Sequence, residues 1–141
     1  MTSSSLIHSL GYVTVQAGDM DRWRHFAFDV LGFARGSGPD PDALYLRMDE
    51  RTARIIVTPG DADRIVSVGW EVRDHLALDA VKRALESAGV AVKELSLAEA
   101  DARRVERVIT FQDPAGTTVE VFCGPVLDHS PVVTPYGARF V

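Results

Sequence analysis

Two stretches with the same layout constrain the fold of this chain more than any other feature. Each runs twelve positions from an aspartate to a glycine through a turn and a strand, and the two span residues 49–60 and 113–124. Ile56 holds in the first stretch the place that Glu120 holds in the second. Self-similarity at a fixed spacing is typical of a duplicated unit. The sequence therefore predicts a fold of two copies with a site between them.

The predicted elements around these stretches follow one order twice: strand, helix, strand, strand, strand. The first copy has strands over 6–16, 33–37, 43–48 and 52–58, and a helix between Asp19 and Gly32. The second has strands over 66–72, 91–95, 105–111 and 117–123, a helix between Asp74 and Gly89, and a helical turn over 97–102. Aspartate before a helix and glycine after it are favoured caps. The expected fold class is α+β: two tandem βαβββ modules, at 6–60 and 65–124, forming a curled mixed sheet around a central cavity.

Apolar residues in the first helix recur at the spacing of a single buried stripe. The stripe consists of Trp23, Phe26, Ala27, Val30 and Leu31. Positions three and four apart lie on one face of an α-helix, so we expect all five to pack on the sheet. The aromatic residues in it are interpreted as core and not as a binding surface.

Composition and charge exclude several classes of function. The chain has 141 residues, a net charge of −5 and one cysteine, Cys123. The acidic balance and the lack of a basic run argue against nucleic acid as a partner. A single cysteine leaves no disulfide framework or thiolate metal cluster, which is typical of cytoplasmic proteins. The first ten residues do not resemble a signal peptide, and no apolar run is long enough to cross a membrane.

The last part of the chain follows a different pattern. The domain is expected over 1–124, and three prolines then interrupt residues 125–141, which show no hydrophobic period. Such composition favours a linker over a packed element. The sequence predicts an interdomain linker over 125–141.

Strand alternation predicts which side chains face the cavity. Each helix must cover the apolar face of its own strands, so Val121 and Cys123 should lie under the second helix. Their neighbours Glu120 and Phe122 then face the other way, as does Leu10 in the first strand. The residues expected to line the cavity are His8, Tyr12, Arg54, Glu71, Glu120 and Phe122.

Several segments carry a resemblance to a known superfamily. They are LGYVTVQAGDMDRWRHFAFDVLGF, VGWEVRD and FQDPAGTTVEVFCGP, and with them the end of the chain, SPVVTPYGARFV. The chain resembles the vicinal oxygen chelate superfamily, which includes glyoxalases, bleomycin-resistance proteins and extradiol dioxygenases. It is most similar to the N-terminal domain of type I extradiol dioxygenases that cleave dihydroxybiphenyl or catecholic steroid products.

The resemblance implies a parent protein of about twice this length. Its catalytic C-terminal domain would begin just past Val141, hold Fe(II), and cleave an aromatic or steroid-derived catechol. The present chain would be a non-catalytic domain that packs on that C-terminal domain and supports a homo-oligomer. No cofactor is expected in this chain.

The resemblance also places the superfamily's metal ligands at Tyr12, Ile56, Ser67 and Glu120. Only Glu120 is a strong ligand, whereas a mononuclear iron site needs two imidazoles and a carboxylate. These positions are therefore interpreted as vestigial, with no metal and no catalytic residue in this chain. The four histidines, at positions 8, 25, 75 and 129, are expected to be surface or hydrogen-bonded residues.

A buried carboxylate without a partner is costly. We therefore expect Glu120 either to accept a hydrogen bond from Tyr12 or to form an ion pair with Arg54.

Two other functions remain open from the sequence. One is a freestanding, metal-free small-molecule binding protein of the bleomycin-resistance type, whose cavity and negative charge would suit a cationic ligand. The other is a small glyoxalase-like lyase, against which the missing metal ligands argue.

Overall fold

The computed structural model describes residues 5–133 and 139–140 and shows an α+β fold in which the βαβββ order occurs twice. The first module contains β1 (Ile7–Ala17), α1 (Met20–Arg24), a π-helical segment (His25–Val30), β2 (Ala34–Arg35), β3 (Leu44–Arg47) and β4 (Ile55–Pro59). The second contains β5 (Arg64–Val72), α2 (His75–Ser87), β6 (Lys93–Glu94), α3 (Leu97–Ala102), β7 (Val105–Gln112) and β8 (Thr118–Pro125). The short strands β9 (Val132–Val133) and β10 (Arg139–Phe140) pair with each other. The predicted fold class is confirmed.

One mixed sheet of eight strands joins the modules, in the order β2-β3-β4-β1-β5-β8-β7-β6. The first strands of the two modules, β1 and β5, pair antiparallel at its centre. Each also pairs in parallel with the last strand of its own module, β1 with β4 and β5 with β8. Thr14 therefore lies opposite both Ile56 and Ser67, and Gly69 lies opposite both Tyr12 and Glu120.

The helices cover the sheet face that strand alternation predicted. In the second module Leu78 and Val81 of α2 pack with Val121 and Cys123 of β8. Burial raises the pKa of the Cys123 thiol, as expected for an inert core residue. Glu120 and Phe122 alternate with these core residues along β8 and therefore lie on the opposite face of the sheet.

The π-helical segment changes which residues of the first helix are buried. The Leu31 N–H bonds to the Phe26 carbonyl, five residues back, at 2.9 Å. A π turn takes up more residues than an α turn and so rotates the following side chains around the axis. Phe28 is therefore buried, at 7% exposed, while Phe26, Val30 and Leu31 are 47–52% exposed. The predicted stripe is wrong for those three residues.

Bulges in β1 interrupt its alternation and move two further residues. The register with β5 shifts between Ile7 and Ser9 and again between Leu10 and Tyr12. An extra residue on one strand reverses the face of those beyond it. Leu10 lies opposite Trp70 and is 48% exposed. The expectation that Leu10 shares a face with Tyr12 is wrong.

The chain beyond β8 is bound to the first module. The Val126 carbonyl accepts hydrogen bonds from the Thr52 N–H, at 3.1 Å, and from its hydroxyl, at 2.9 Å. The buried Arg47 guanidinium donates to the carbonyls of Asp128 and Ser130. Residues 126–130 thus follow the connection between β3 and β4. The rest of the predicted linker, 134–138 and 141, falls outside the described residues.

Across the residues that the structure describes, no helix is both long enough and apolar enough to cross a membrane.

Candidate functional site

Glu120 is the only acidic side chain in the buried core of the described residues, at 2% exposed. It lies in the middle of β8, between β5 and β7, on the sheet face that the two main helices do not cover. Phe122 lies two residues further along the strand and is 1% exposed. A carboxylate in such surroundings is stable only with well-placed partners.

Tyr12 is the first of these partners and comes from the other module. Its hydroxyl donates to Glu120 Oε1, and its ring lies 5.0 Å from the ring of Phe122. The ring crosses Gly69, where any Cβ atom would overlap it. Burial raises the pKa of Tyr12 well above its usual value, and the charge and hydrogen bond of Glu120 add to the effect. The predicted hydrogen bond from Tyr12 is confirmed.

Arg103 is the second partner. It is the C-cap residue of α3, a short helix that begins with a capping box between Ser96 and Glu99. Its Nε lies 2.6 Å from Glu120 Oε1 and its Nη2 lies 3.0 Å from Oε2, a side-on pair. Nη1 donates to the Glu99 carbonyl at 3.0 Å. Burial lowers the pKa of Arg103, but the hydrogen bond and charge of Glu120 outweigh this effect and raise it overall.

The alternative partner, Arg54, is wrong. Arg54 pairs with Asp49 at 2.7 Å and donates to the Gly11 carbonyl at 3.0 Å. The Arg54 guanidinium is therefore hydrogen-bonded to Asp49 and Gly11 and not to Glu120. Sequence reasoning missed Arg103 because it lies in a connection, where no strand period gives a direction. The capping box of α3 was the available signal, since it fixes where that helix begins.

The remaining vestigial positions have partners or neighbours of their own. Ser67 is fully buried and shares a hydrogen bond with Thr14. Ile56 packs in a small cluster with Tyr45 and Ala53. A cavity of about 150 Å³ lies beside them, lined by Thr14, Asp40, Ala43, Tyr45, Ile56, Thr58, Val66, Ala102 and Arg103.

The other residues expected around the cavity lie further away. Glu71 forms an ion pair with Arg51. His8 lines a separate groove with Arg73 and Asp74, next to the beginning of α2, because of the bulges in β1. The structure does not bring His8 together with Glu120. Phe122 lines a narrow gap of about 10 Å³ with Tyr12 and Arg103.

Two of the other histidines form hydrogen bonds at exposed positions. His25 pairs with Asp29, and His75 pairs with Glu106, each at 3.0 Å. His129 is exposed.

The donors around Glu120 do not fit a divalent metal. Both carboxylate oxygens already face the Arg103 guanidinium, and Tyr12 also donates to one of them. Ile56 offers only hydrocarbon, and the Ser67 hydroxyl is a weak ligand. Within residues 5–133 and 139–140, no three histidine, cysteine or carboxylate side chains are grouped so as to hold a metal ion. No chemistry of iron can therefore be assigned to these residues.

Comparison with known proteins relates this chain to one class of enzymes. Residues 10–60 match the family model described as dihydroxybiphenyl dioxygenase BphC D1. The chain is 47% identical over 135 residues to an iron-dependent extradiol dioxygenase of Rhodococcus jostii (strain RHA1), covering 96% of this chain and 45% of that protein. It is 36% identical over 126 residues to a biphenyl-2,3-diol 1,2-dioxygenase of Sphingomonas paucimobilis, covering 89% of this chain and 42% of that protein. The chain thus spans less than half the length of these curated relatives.

Solved structures show the same relation. A catechol 2,3-dioxygenase superposes with a TM-score of 0.86 at 31% identity, over 92% of this chain and 46% of that one. BphC, a halotolerant catechol dioxygenase, superposes with a TM-score of 0.84 at 25% identity, over 92% and 43%. In each case one half of a larger chain is matched.

Proposed function

We propose that this chain belongs with the N-terminal domains of the type I extradiol dioxygenases and is the non-catalytic half of an Fe(II)-dependent enzyme that cleaves a catechol ring. The observation that carries the proposal is the 47% identity to an iron-dependent extradiol dioxygenase over 96% of this chain. Fold alone would not support it, because one fold hosts many chemistries.

In this proposal the two halves of the parent have different roles. The donors around Glu120 do not fit a metal, which supports iron binding in the half of the parent that this chain does not cover. Iron bound there would supply the redox chemistry of ring cleavage. The present domain would contribute a packing surface for that half, and the connection to it would follow residues 126–130, which are bound to the first module.

The cellular setting is part of the same proposal. Cys123 is a free, buried thiol, which suits the reducing cytoplasm. A homo-oligomer is proposed for the parent, with an aromatic or steroid-derived catechol as its substrate.

A metal-free binding protein is less well supported. The cavity beside Thr14 and Ile56 holds about 150 Å³, against roughly 300 Å³ or more for typical small-molecule sites. Tyr12, Phe122 and Arg103 fill the space next to it.

A chimera tests the proposal. Residues 1–141 would replace the matching segment of the Sphingomonas paucimobilis biphenyl-2,3-diol 1,2-dioxygenase, and iron content and oxygen uptake with biphenyl-2,3-diol would be measured. We expect a folded chimera that binds iron and consumes oxygen, because this domain packs as the native one does. A folded, iron-loaded chimera without oxygen uptake, or one that cannot retain iron, would contradict the proposal.

A further inference from the structure

We propose that the guanidinium of Arg103 is the resident cation of this domain, and that removing it exposes a latent site for a small guanidinium-type cation. It would hold the two modules together at the position where the resemblance placed a metal. The inference depends only on contacts within this chain, so it can fail without affecting the proposed function, and the reverse is also true.

The first argument is the completeness of the contact. Nε and Nη2 of Arg103 meet the two oxygens of Glu120 at 2.6 and 3.0 Å, and Nη1 meets the Glu99 carbonyl at 3.0 Å. All three guanidinium nitrogens are therefore engaged. A planar fork that matches a carboxylate is the geometry in which arginine binds most strongly.

The second argument is the place of the pair in the fold. Glu120 belongs to the second module and accepts a hydrogen bond from Tyr12 of the first. Arg103 also lines the cavity beside Thr14 and Ile56 of the first module. One cation thus neutralises the carboxylate on which the two modules converge.

The third argument comes from a second arginine in the same domain. Arg107 pairs with Glu94 at 2.6 Å and Asp79 at 3.0 Å, and its side chain is 22% exposed, close to the 21% of Arg103. The difference lies in the acids: Glu94 and Asp79 are 37% and 42% exposed, whereas Glu120 is 2% exposed. Water can replace Arg107 but cannot replace Arg103, because a buried charge without a partner is strongly unfavourable.

Thermal unfolding of Arg103→Ala and Arg107→Ala tests the proposal. Arg103→Ala should lower the Tm by about 10 °C or more, and Arg107→Ala by only a few degrees. Guanidinium chloride is then titrated to a few tens of millimolar, with sodium chloride keeping the ionic strength constant. The Tm of Arg103→Ala should rise by about 3–5 °C through binding at the vacated position. The wild type and Arg107→Ala should show no rise.

Two results would overturn the proposal. One is a loss of Tm in Arg103→Ala no larger than in Arg107→Ala. The other is the same guanidinium response in all three proteins.

Two further measurements apply even if Arg103→Ala does not fold. Arg103→Lys keeps the charge but loses the fork, so its Tm should lie below that of Arg107→Ala. A Tm for Arg103→Lys equal to that of the wild type would contradict the role of the fork.

Wild-type Tm should also be unchanged by EDTA and by added Mn²⁺ or Zn²⁺. A loss of stability with EDTA would show that a metal, not Arg103, is the resident cation.

Discussion

Glu120 is held by one partner from each module, and the two contribute differently. Arg103 supplies the opposite charge, while Tyr12 supplies a neutral donor that must keep its proton. Because the pKa of Tyr12 is raised in the folded protein, the folded state binds that proton more tightly than the unfolded state does. Stability from Tyr12 is therefore complete below pH about 10 and is lost as the pH rises towards the folded-state pKa.

Tyr12→Phe tests this dependence. At pH 7 the variant should be less stable than the wild type by about 1.5–3 kcal/mol, since it loses a hydrogen bond to a charged acceptor. Above pH 10 the difference should shrink by up to about 1.4 kcal/mol per pH unit. Urea unfolding at pH 7, 9 and 11 measures this difference in unfolding free energy. Tyr45 is present in both proteins, so its contribution cancels in the difference. A difference that stays constant over this range would refute the account of Tyr12.

Gly69 makes room for the Tyr12 ring. Gly69→Ala should cost about 1–3 kcal/mol of unfolding free energy, because the added Cβ overlaps the ring and moves it away from Glu120. Gly18→Ala is the matched control, since its nearest neighbour, Asp63 Oδ1, would lie at an ordinary 3.7 Å. Denaturant unfolding should show a clear loss only for Gly69→Ala. Equal losses would mean that the close approach has no energetic weight.

Strand alternation was sufficient to predict part of this site. It placed Glu120 on the sheet face away from Val121 and Cys123, because Glu120 lies in a regular part of β8. It also placed Tyr12 on the same face as Glu120, since Tyr12 lies just beyond the bulge at Leu10. It could not find Arg103, since the position of a residue after a helix depends on the turn that follows. Nor could it exclude Arg54, whose acceptors include the Gly11 carbonyl at the β1 bulge.

At the scale of elements, α3 is short, and the backbone is strained just after it ends. Arg104 follows Arg103 with φ of 58°, the only positive φ among non-glycine residues described by the structure. This conformation turns the chain from α3 into β7 and costs roughly 1–2 kcal/mol for a residue with a Cβ.

Replacement of Arg104 separates strain from side-chain contacts. Arg104→Gly and Arg104→Ala both lose the ion pair with Asp101. Only glycine relieves the positive φ, so Arg104→Gly should be more stable than Arg104→Ala by about 1 kcal/mol. Chemical denaturation of the two variants decides the point. If alanine is equally stable, the strain is absent in solution.

The segment after β8 is a second element whose structure the sequence pattern did not indicate. Arg47, at 4% exposed, donates to carbonyls in that segment and fixes its course along the first module. Its hydrogen bonds to this segment are made to backbone carbonyls, which carry no sequence signal, and an Asp128 carboxylate oxygen lies 3.6 Å from its guanidinium.

Arg47→Ala should loosen this segment. The amides of Val126 and Asp128, which bond to Arg104 and Glu50, should exchange with deuterium at least tenfold faster than in the wild type. Arg64→Ala, at an exposed position, should leave their exchange unchanged. Unaltered protection in Arg47→Ala would mean that the backbone hydrogen bonds alone hold the segment.

The π-helical segment shows the same limit of periodicity. The sequence spacing fitted an ideal α-helix, but one five-residue turn carried Phe26, Val30 and Leu31 away from the core. The element itself and its Asp19 cap were predictable, because capping is local. The buried face of the helix was not predictable, because the formation of a π turn depends on how the helix packs against the sheet.

At the scale of the whole molecule, duplication determines both the fold and the position of the site. The central pairing of β1 with β5 brings the last strand of each module to corresponding positions on either side. This symmetry was visible in the sequence as two matched twelve-residue stretches. Under the proposed function the parent has two halves with different roles: a guanidinium neutralises Glu120 in this half, and iron is expected in the other.

Anaerobic ferrous loading of the 141-residue chain, followed by gel filtration, iron analysis and oxygen uptake with 2,3-dihydroxybiphenyl, tests this division most directly. The account predicts a folded chain that retains far less than one iron per chain and consumes no oxygen with the catechol. One tightly held iron per chain, accompanied by ring cleavage, would contradict it.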